Sequence, residues 1–236
     1  MRRWLLSVTR LSSVGAVVGF IATPAASAQQ SLNLYVGGFV PTGTTSRGAG
    51  NDVLVRDQDF LAFRLDRFRA PTVGGEWLIG LGDIFDAGLG VGFYQRTVPA
   101  VDAKFVNANG SEVVSNLKLR IVPFTATFRV LPFGHNAPIQ PYVGAGVGVF
   151  AWRYSESGQF VDPTDRSVFS GTFVGSGSAT GPVVLGGVRA PIGPTAVGFE
   201  ARYQSAKGSL PANQEFAGSK IDLGGMNYLF TFNIRF

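Results

Sequence analysis

The sequence contains no cysteine. That absence excludes a disulfide framework, a thiolate zinc site and an acylated lipoprotein cysteine. Histidine is nearly absent too: His135 is the single one in 236 residues. After residue 28 no apolar run approaches the roughly 20 residues that a membrane-spanning helix needs. Net charge is small once that leader is set aside. Without Arg2, Arg3 and Arg10, 17 Lys and Arg face 15 Asp and Glu over 208 residues, a net +2. The basic balance is therefore largely a property of the leader, and no nucleic-acid partner is expected.

The leader has its own logic. Three arginines precede the mostly apolar stretch Leu11–Ala22, and Ala26-Ser27-Ala28 forms a small-x-small cleavage site before Gln29. Residues 1–28 read as a cleaved secretory signal peptide, and 29–236 as one exported domain. With 32 Gly and 20 Phe, no disulfide and no spanning helix, an exported fold closes most readily as a β-barrel.

The C-terminal stretch is the plainest. In Met226–Phe236, the residues Met226, Tyr228, Phe230, Phe232, Ile234 and Phe236 share one face, and Asn227, Thr231, Asn233 and Arg235 share the other. A period of two over eleven residues is a strand between two unlike surroundings. The aromatic row suits lipid, and the polar row suits a wet interior.

Seven further strands are expected, at about Ser31–Val40, Val73–Leu81, 87–96, Val114–Val130, Gln140–Tyr154, Gly181–Ala190 and Thr195–Ser205. In the second, Trp77, Ile79 and Leu81 oppose Glu76. In the third, Ala87, Leu89, Val91 and Phe93 oppose Gly88, Gly90, Gly92, Tyr94 and Arg96. The fourth changes phase: Leu117, Leu119 and Ile121 have one parity, Phe124, Ala126, Phe128 and Val130 the other. A β-bulge at Pro123 would restore the lipid face. Three short turns alternate with four long connections, the second centred on the hairpin signal Asn109-Gly110 and the third spanning about Ser155–Ser178. The whole reads as an all-β, closed, up-and-down eight-stranded antiparallel transmembrane barrel. Glycines at alternate positions, as in Gly144-Ala145-Gly146-Val147-Gly148, sit inside continuing strands, which argues for a crowded lumen and against a phosphate-cradling loop.

The Ala26-Ser27-Ala28 leader end, the segment Gln140–Gly158 (QPYVGAGVGVFAWRYSESG) and the terminal Tyr228–Phe236 (YLFTFNIRF) resemble the family of eight-stranded outer-membrane barrels that includes the OmpA transmembrane domain and OmpW. The resemblance is one of pattern over the whole exported part. It implies residence in the outer membrane of a Gram-negative-type bacterium as a monomer in contact with lipid and lipopolysaccharide. It also implies periplasmic chaperones and a barrel-assembly machinery that reads the terminal aromatic, here Phe236 with Ile234, Phe232, Phe230 and Tyr228. With no room for a peptidoglycan-binding domain, a barrel alone is expected.

Strand parity assigns a lumen polar network: Glu76, Arg96, Lys118, Arg120, Arg129, Arg189, Glu200, Arg202 and Arg235, with Thr125, Thr127, Gln204, Asn227 and Asn233. Buried charges must pair or stay hydrated. Glu76 and Glu200 are expected to bridge basic neighbours. Seven basic side chains against two acids leave an excess, so Arg129, Arg189 and Arg235 are expected to reach water near the short-turn end. Phe150, Trp152 and Tyr154 either line a pocket or, with another bulge, join an outer aromatic girdle. The polar connection 41–70, carrying Phe60, Leu61, Phe63, Leu65 and Phe68, either covers the mouth or lies at the lipid interface.

Barrel hydrolases that resemble this fold generally use a histidine base near the outer side, whereas His135 falls in a short turn, Leu131–Pro138, on the other side. No catalytic, cofactor or metal site is expected. Glu156, Asp162 and Asp165 lack the rest of a calcium-loop pattern and read as a solvated acidic loop. The function expected is that of a structural or surface-interaction barrel with a filled polar lumen. The alternative is a passive transporter or narrow porin for small anions or small apolar molecules.

Overall fold

Alternation of large apolar and small or polar residues generates eight long strands in the computed structural model, which describes residues 29–42, 51–162, 164–214 and 216–236. The expected signal peptide lies outside the described residues. The strands are β1 (Gln30–Pro41), β2 (Ala70–Leu81), β3 (Phe85–Val106), β4 (Glu112–Val130), β5 (Gln140–Val161), β6 (Val168–Ile192), β7 (Thr195–Gln204) and β8 (Gly225–Arg235). Each pairs antiparallel with its neighbour in sequence, and β1 also pairs with β8, from Ser31 opposite Arg235 to Pro41 opposite Gly225. That pairing closes the ring and satisfies both edges. A helix Val53–Asp57 (α1) and a 3₁₀ turn Leu65–Phe68 lie between β1 and β2, and a two-stranded ribbon joins Lys207–Ser209 to Lys220–Asp222. No helix among the described residues is long and apolar enough to cross a membrane.

The ring is sided as the sequence predicts. Leu34, Val36, Trp77, Leu89, Phe93, Val147, Val184, Val197 and Phe199 point outward and are exposed. So do Tyr228, Phe230, Phe232, Ile234 and Phe236; Phe230 is 68% exposed. This belt runs around the ring at the short-turn end. At the other end β3–β4 and β5–β6 extend beyond it as ribbons. The first turns at Gly110, with φ +80°. The second occupies most of what the sequence suggested was a long loop, because Gln159–Val161 pair with Val168–Ser170.

Two expectations fail in β4. Its register against β5 is continuous through Pro123, which stands opposite Phe150, and Phe124 opposite Val149 continues the same count. There is no bulge at Pro123. Leu117, Leu119 and Ile121 stay on the inner face and are fully buried, while Phe124 and Phe128 are outside. The phase change in the sequence is a change of environment along one unbroken strand: polar inside and apolar outside near the short turns, the reverse above them. Lys118 and Arg120 are consequently exposed on the outer face, not in the lumen. Phe150, Trp152 and Tyr154 share that inner face and are buried, so no second bulge turns them outward.

The facing of β4 has a direct test. Leu119→Asp should cost at least about 3 kcal/mol by burying an unpaired charge, whereas Arg120→Asp should leave refolding unchanged. Heat-modifiable migration of the refolded chain reads both.

Candidate functional site

Eight strands enclose an interior that side chains can about fill, and here they fill it in two storeys. The lower storey is ionic. Glu76 on β2 accepts bonds from Thr127 Oγ1 (2.7 Å), from Arg129 Nη2 and from Arg202 Nη2 (3.0 Å). Glu200 on β7 accepts from Arg202 Nε (2.8 Å) and the Tyr142 hydroxyl (3.1 Å), with Arg129 Nη2 also at 3.1 Å. Arg129 stacks on the Tyr142 ring at 5.1 Å and Arg202 on Tyr35 at 5.3 Å. Glycines make the space: a Cβ on Gly88 would lie 2.5 Å from Glu76 Oε1, and one on Gly187 would lie 2.6 Å from Tyr142 OH. This is the physical content of the alternate-glycine pattern.

The expected basic excess does not exist. Arg129 is 1% exposed and is among the largest wholly buried side chains, so it does not reach water. Arg189 does not either: it pairs with Asp86 Oδ2 at 3.0 Å and donates from Nε to Gln140 Oε1 at 2.7 Å. Arg235 is half-buried at the rim, where its Nη2 donates to the same oxygen at 3.2 Å. Asp86, just outside the expected strand 87–96, supplies a third acid: β3 begins at Phe85, and the parity of Gly88 and Gly90 puts Asp86 inside. Arg96 has inward parity yet is exposed, its Nε donating to the Arg67 carbonyl at 2.9 Å. With Lys118 and Arg120 outside, the buried charges of the lower storey are Glu76, Asp86 and Glu200 against Arg129, Arg189 and Arg202. His135 Nε2 lies 2.7 Å from Asp86 Oδ1, tying the turn to this cluster.

The upper storey is apolar and is closed from above. Leu117, Leu119, Ile121, Phe150, Trp152 and Tyr154 pack against Val53, Leu54, Leu61 and Phe68 of the β1–β2 connection, with Phe60, Phe63, Leu65 and Phe216 at the edge. Of the two readings of that connection, covering the mouth is the one observed for residues 51–69. Asp52 caps α1, accepting from Leu54 N (3.1 Å) and Val55 N through Oδ1. Its Oδ2 accepts from Asp222 N at 2.7 Å, which anchors the helix to the β7–β8 connection.

One pair of acids stands apart. Glu156 is not in a solvated loop: it faces inward on the part of β5 above the apolar belt and is 5% exposed. Asp57, at the end of α1, is wholly buried near it. Burial raises the Asp57 carboxyl to about 9, helped by Glu156 and Asp52 and opposed by the Tyr154 hydrogen bond. Burial likewise raises Glu156 to about 7, again opposed by Tyr154. Asp162 is half-buried and Asp165 exposed, and both serve turns instead, accepting from Thr164 N and Ser167 N. No group of three or more potential metal ligands occurs among the described residues.

Fold and interior together define a small, closed, up-and-down eight-stranded barrel with an apolar outer belt and a filled core. No family model matches the chain and no curated protein matches it. Among solved structures it is similar to neisserial surface protein A, at 10% identity over 88% of this chain and 97% of that one, with a TM-score of 0.47. It is also similar to the N-terminal β-barrel domain of Pseudomonas aeruginosa OprF (12% identity, 89% and 98% covered, TM-score 0.37). A third is Ail, the attachment invasion locus protein of Yersinia pestis, solved with the heparin analogue sucrose octasulfate (12% identity, 89% and 99% covered, TM-score 0.40). The barrel class itself rests on the strand pairing described above.

Glu76→Gln should destabilise the barrel by about 3–5 kcal/mol, since two buried arginines lose their shared partner. Gly88→Ala should act in the same direction by displacing Glu76. Urea midpoints of the refolded chain at neutral pH measure both.

Proposed function

We propose that this protein is an integral outer-membrane barrel with a structural or surface-interaction role, built around a side-chain-filled lumen that carries no solute. The observation behind this reading is the combination of an exposed apolar belt with a buried, charge-balanced network crossing the interior. An exposed apolar surface that encircles a ring is unsuited to water and suited to lipid. Short turns then face the periplasm and the long ribbons face outward. A transport role would need a continuous path, and Arg129 with its partners stands across it. The export signal of residues 1–28 and recognition of Phe236 by an assembly machinery belong to the same reading, as does the absence of an enzymatic role.

We infer a partner from the charges of the outer face. Arg120 stands directly opposite Arg153 in the β4–β5 pairing, and Lys118 is one step above. All three are exposed just beyond Val122 and Ala151, where the apolar belt ends. Like charges directly opposed on a sheet are unfavourable, and anionic headgroups relieve that. Lipopolysaccharide phosphates at the outer leaflet fit this collar.

Two measurements test the proposal. Phe230→Asp with Phe232→Asp should abolish membrane assembly, each acid costing on the order of 2 kcal/mol near the midplane; recovery of folded double variant in the outer-membrane fraction would refute the lipid-facing belt. Arg120→Gln with Arg153→Gln should remove any extra thermal stability that the wild-type barrel gains in vesicles containing lipopolysaccharide over phosphatidylcholine vesicles. An unchanged gain would remove the collar from the account.

A further inference from the structure

The Tyr154 hydroxyl donates to Asp57 Oδ2 at 2.9 Å and also adjoins the Glu156 carboxyl. Asp57 Oδ1 and Glu156 Oε1 are buried without any hydrogen-bond partner, as is Ser115 Oγ on the inner face of β4. Glu156, Asp52 on the α1 cap and Tyr154 on β5 act on Asp57, and Tyr154 acts on Glu156. None is a cation. Asp52 is already occupied by three backbone amides, so it offers no relief. Two carboxylates cannot both be ionised side by side in such a setting; a shared proton or a cation must be present.

The pair also spans a mechanical junction. Asp57 belongs to the segment that fills the mouth, and Glu156 belongs to the barrel wall. We propose that Asp57, Glu156 and Tyr154 form a proton-operated latch, which holds the Val53–Phe68 segment in the barrel mouth at acid pH and releases it as pH rises. The linkage follows from burial. When the segment is seated, both carboxyls are held above the ordinary carboxylate range, near 4. When it leaves, both return to water and ionise. The seated form therefore binds more protons at every pH between the two ranges, its protonation-linked stability is complete in acid, and that stability is lost as pH rises through the raised values. Opening would uncover the apolar storey of Trp152, Leu117 and Leu119, while the Glu76–Arg129 network below stays in place. The latch is thus a switch of the outer mouth and is independent of whether the lumen conducts.

The absence of native cysteine gives a clean probe. Leu54→Cys places the sole thiol on the buried face of α1, and Asp59→Cys places one at an exposed position just past its end as a reference. In the full chain refolded in detergent micelles, the ratio of the two maleimide labelling rates reports opening. Between pH 5 and pH 8 the ratio should climb by roughly tenfold per pH unit for each proton released. With Asp57→Asn and Glu156→Gln added, it should stay low and flat, since both amides mimic the protonated latch. Should the double variant fail to fold, Glu156→Gln alone should lower the slope. A flat wild-type ratio, or a slope that survives both substitutions, would overturn the proposal. So would closure of the wild-type mouth by millimolar calcium or magnesium at pH 8, because the occupant would then be a metal and not a proton.

Discussion

Closing eight strands into a ring leaves an interior too narrow for bulk water and too long to leave empty, and every other feature of this chain answers that constraint. Charges placed there must balance locally, because the desolvation of an unpaired guanidinium would exceed what a domain of this size can tolerate. Glu76 and Glu200 clasp Arg129 and Arg202, and Asp86 holds Arg189. Breaking any one of these leaves a buried charge behind, so the network is a unit and not a set of separable contacts.

The same ring crosses two outer environments, and its inner face inverts in step. Where the outside is an apolar belt, the inside is ionic and glycine-spaced. Where the ribbons rise past the belt, the outside carries Lys118, Arg120 and Arg153, and the inside becomes an apolar cup filled by α1 and Phe68. A soluble-protein logic therefore governs the upper half and an inside-out logic the lower half. The join is marked by Pro123 and Phe150, opposite each other. The cup needs its cover: without the residue 51–69 segment, a patch including Trp152 and Phe150 would face water.

Much of this could be read from the chain itself. All eight strands, the outer row from Tyr228 to Phe236 and the inward facing of Glu76, Arg129, Arg189, Glu200 and Arg202 follow from a period of two, which the pleat enforces. The failures share one cause. Periodicity gives relative facing within a strand, and the absolute facing was fixed by assuming that apolar means outward. In upper β4 apolar means inward, so Lys118 and Arg120 face out and the parity needs no bulge at Pro123. Asp86 was lost at a strand boundary, where pattern is weakest. The pairing of Asp57 with Glu156, 99 positions apart, left no signal in the sequence, since it depends on how a connection folds back over the ring.

The central claim is that the interior is sealed by its own side chains. Single-channel recording of the refolded barrel in a planar bilayer addresses it most directly, at pH 6 and again at pH 8. A folded, inserted and electrically silent barrel at both values is the result this account predicts. Stable openings, above all with anion preference, would mean that Arg129 and its partners line a path, and would contradict it.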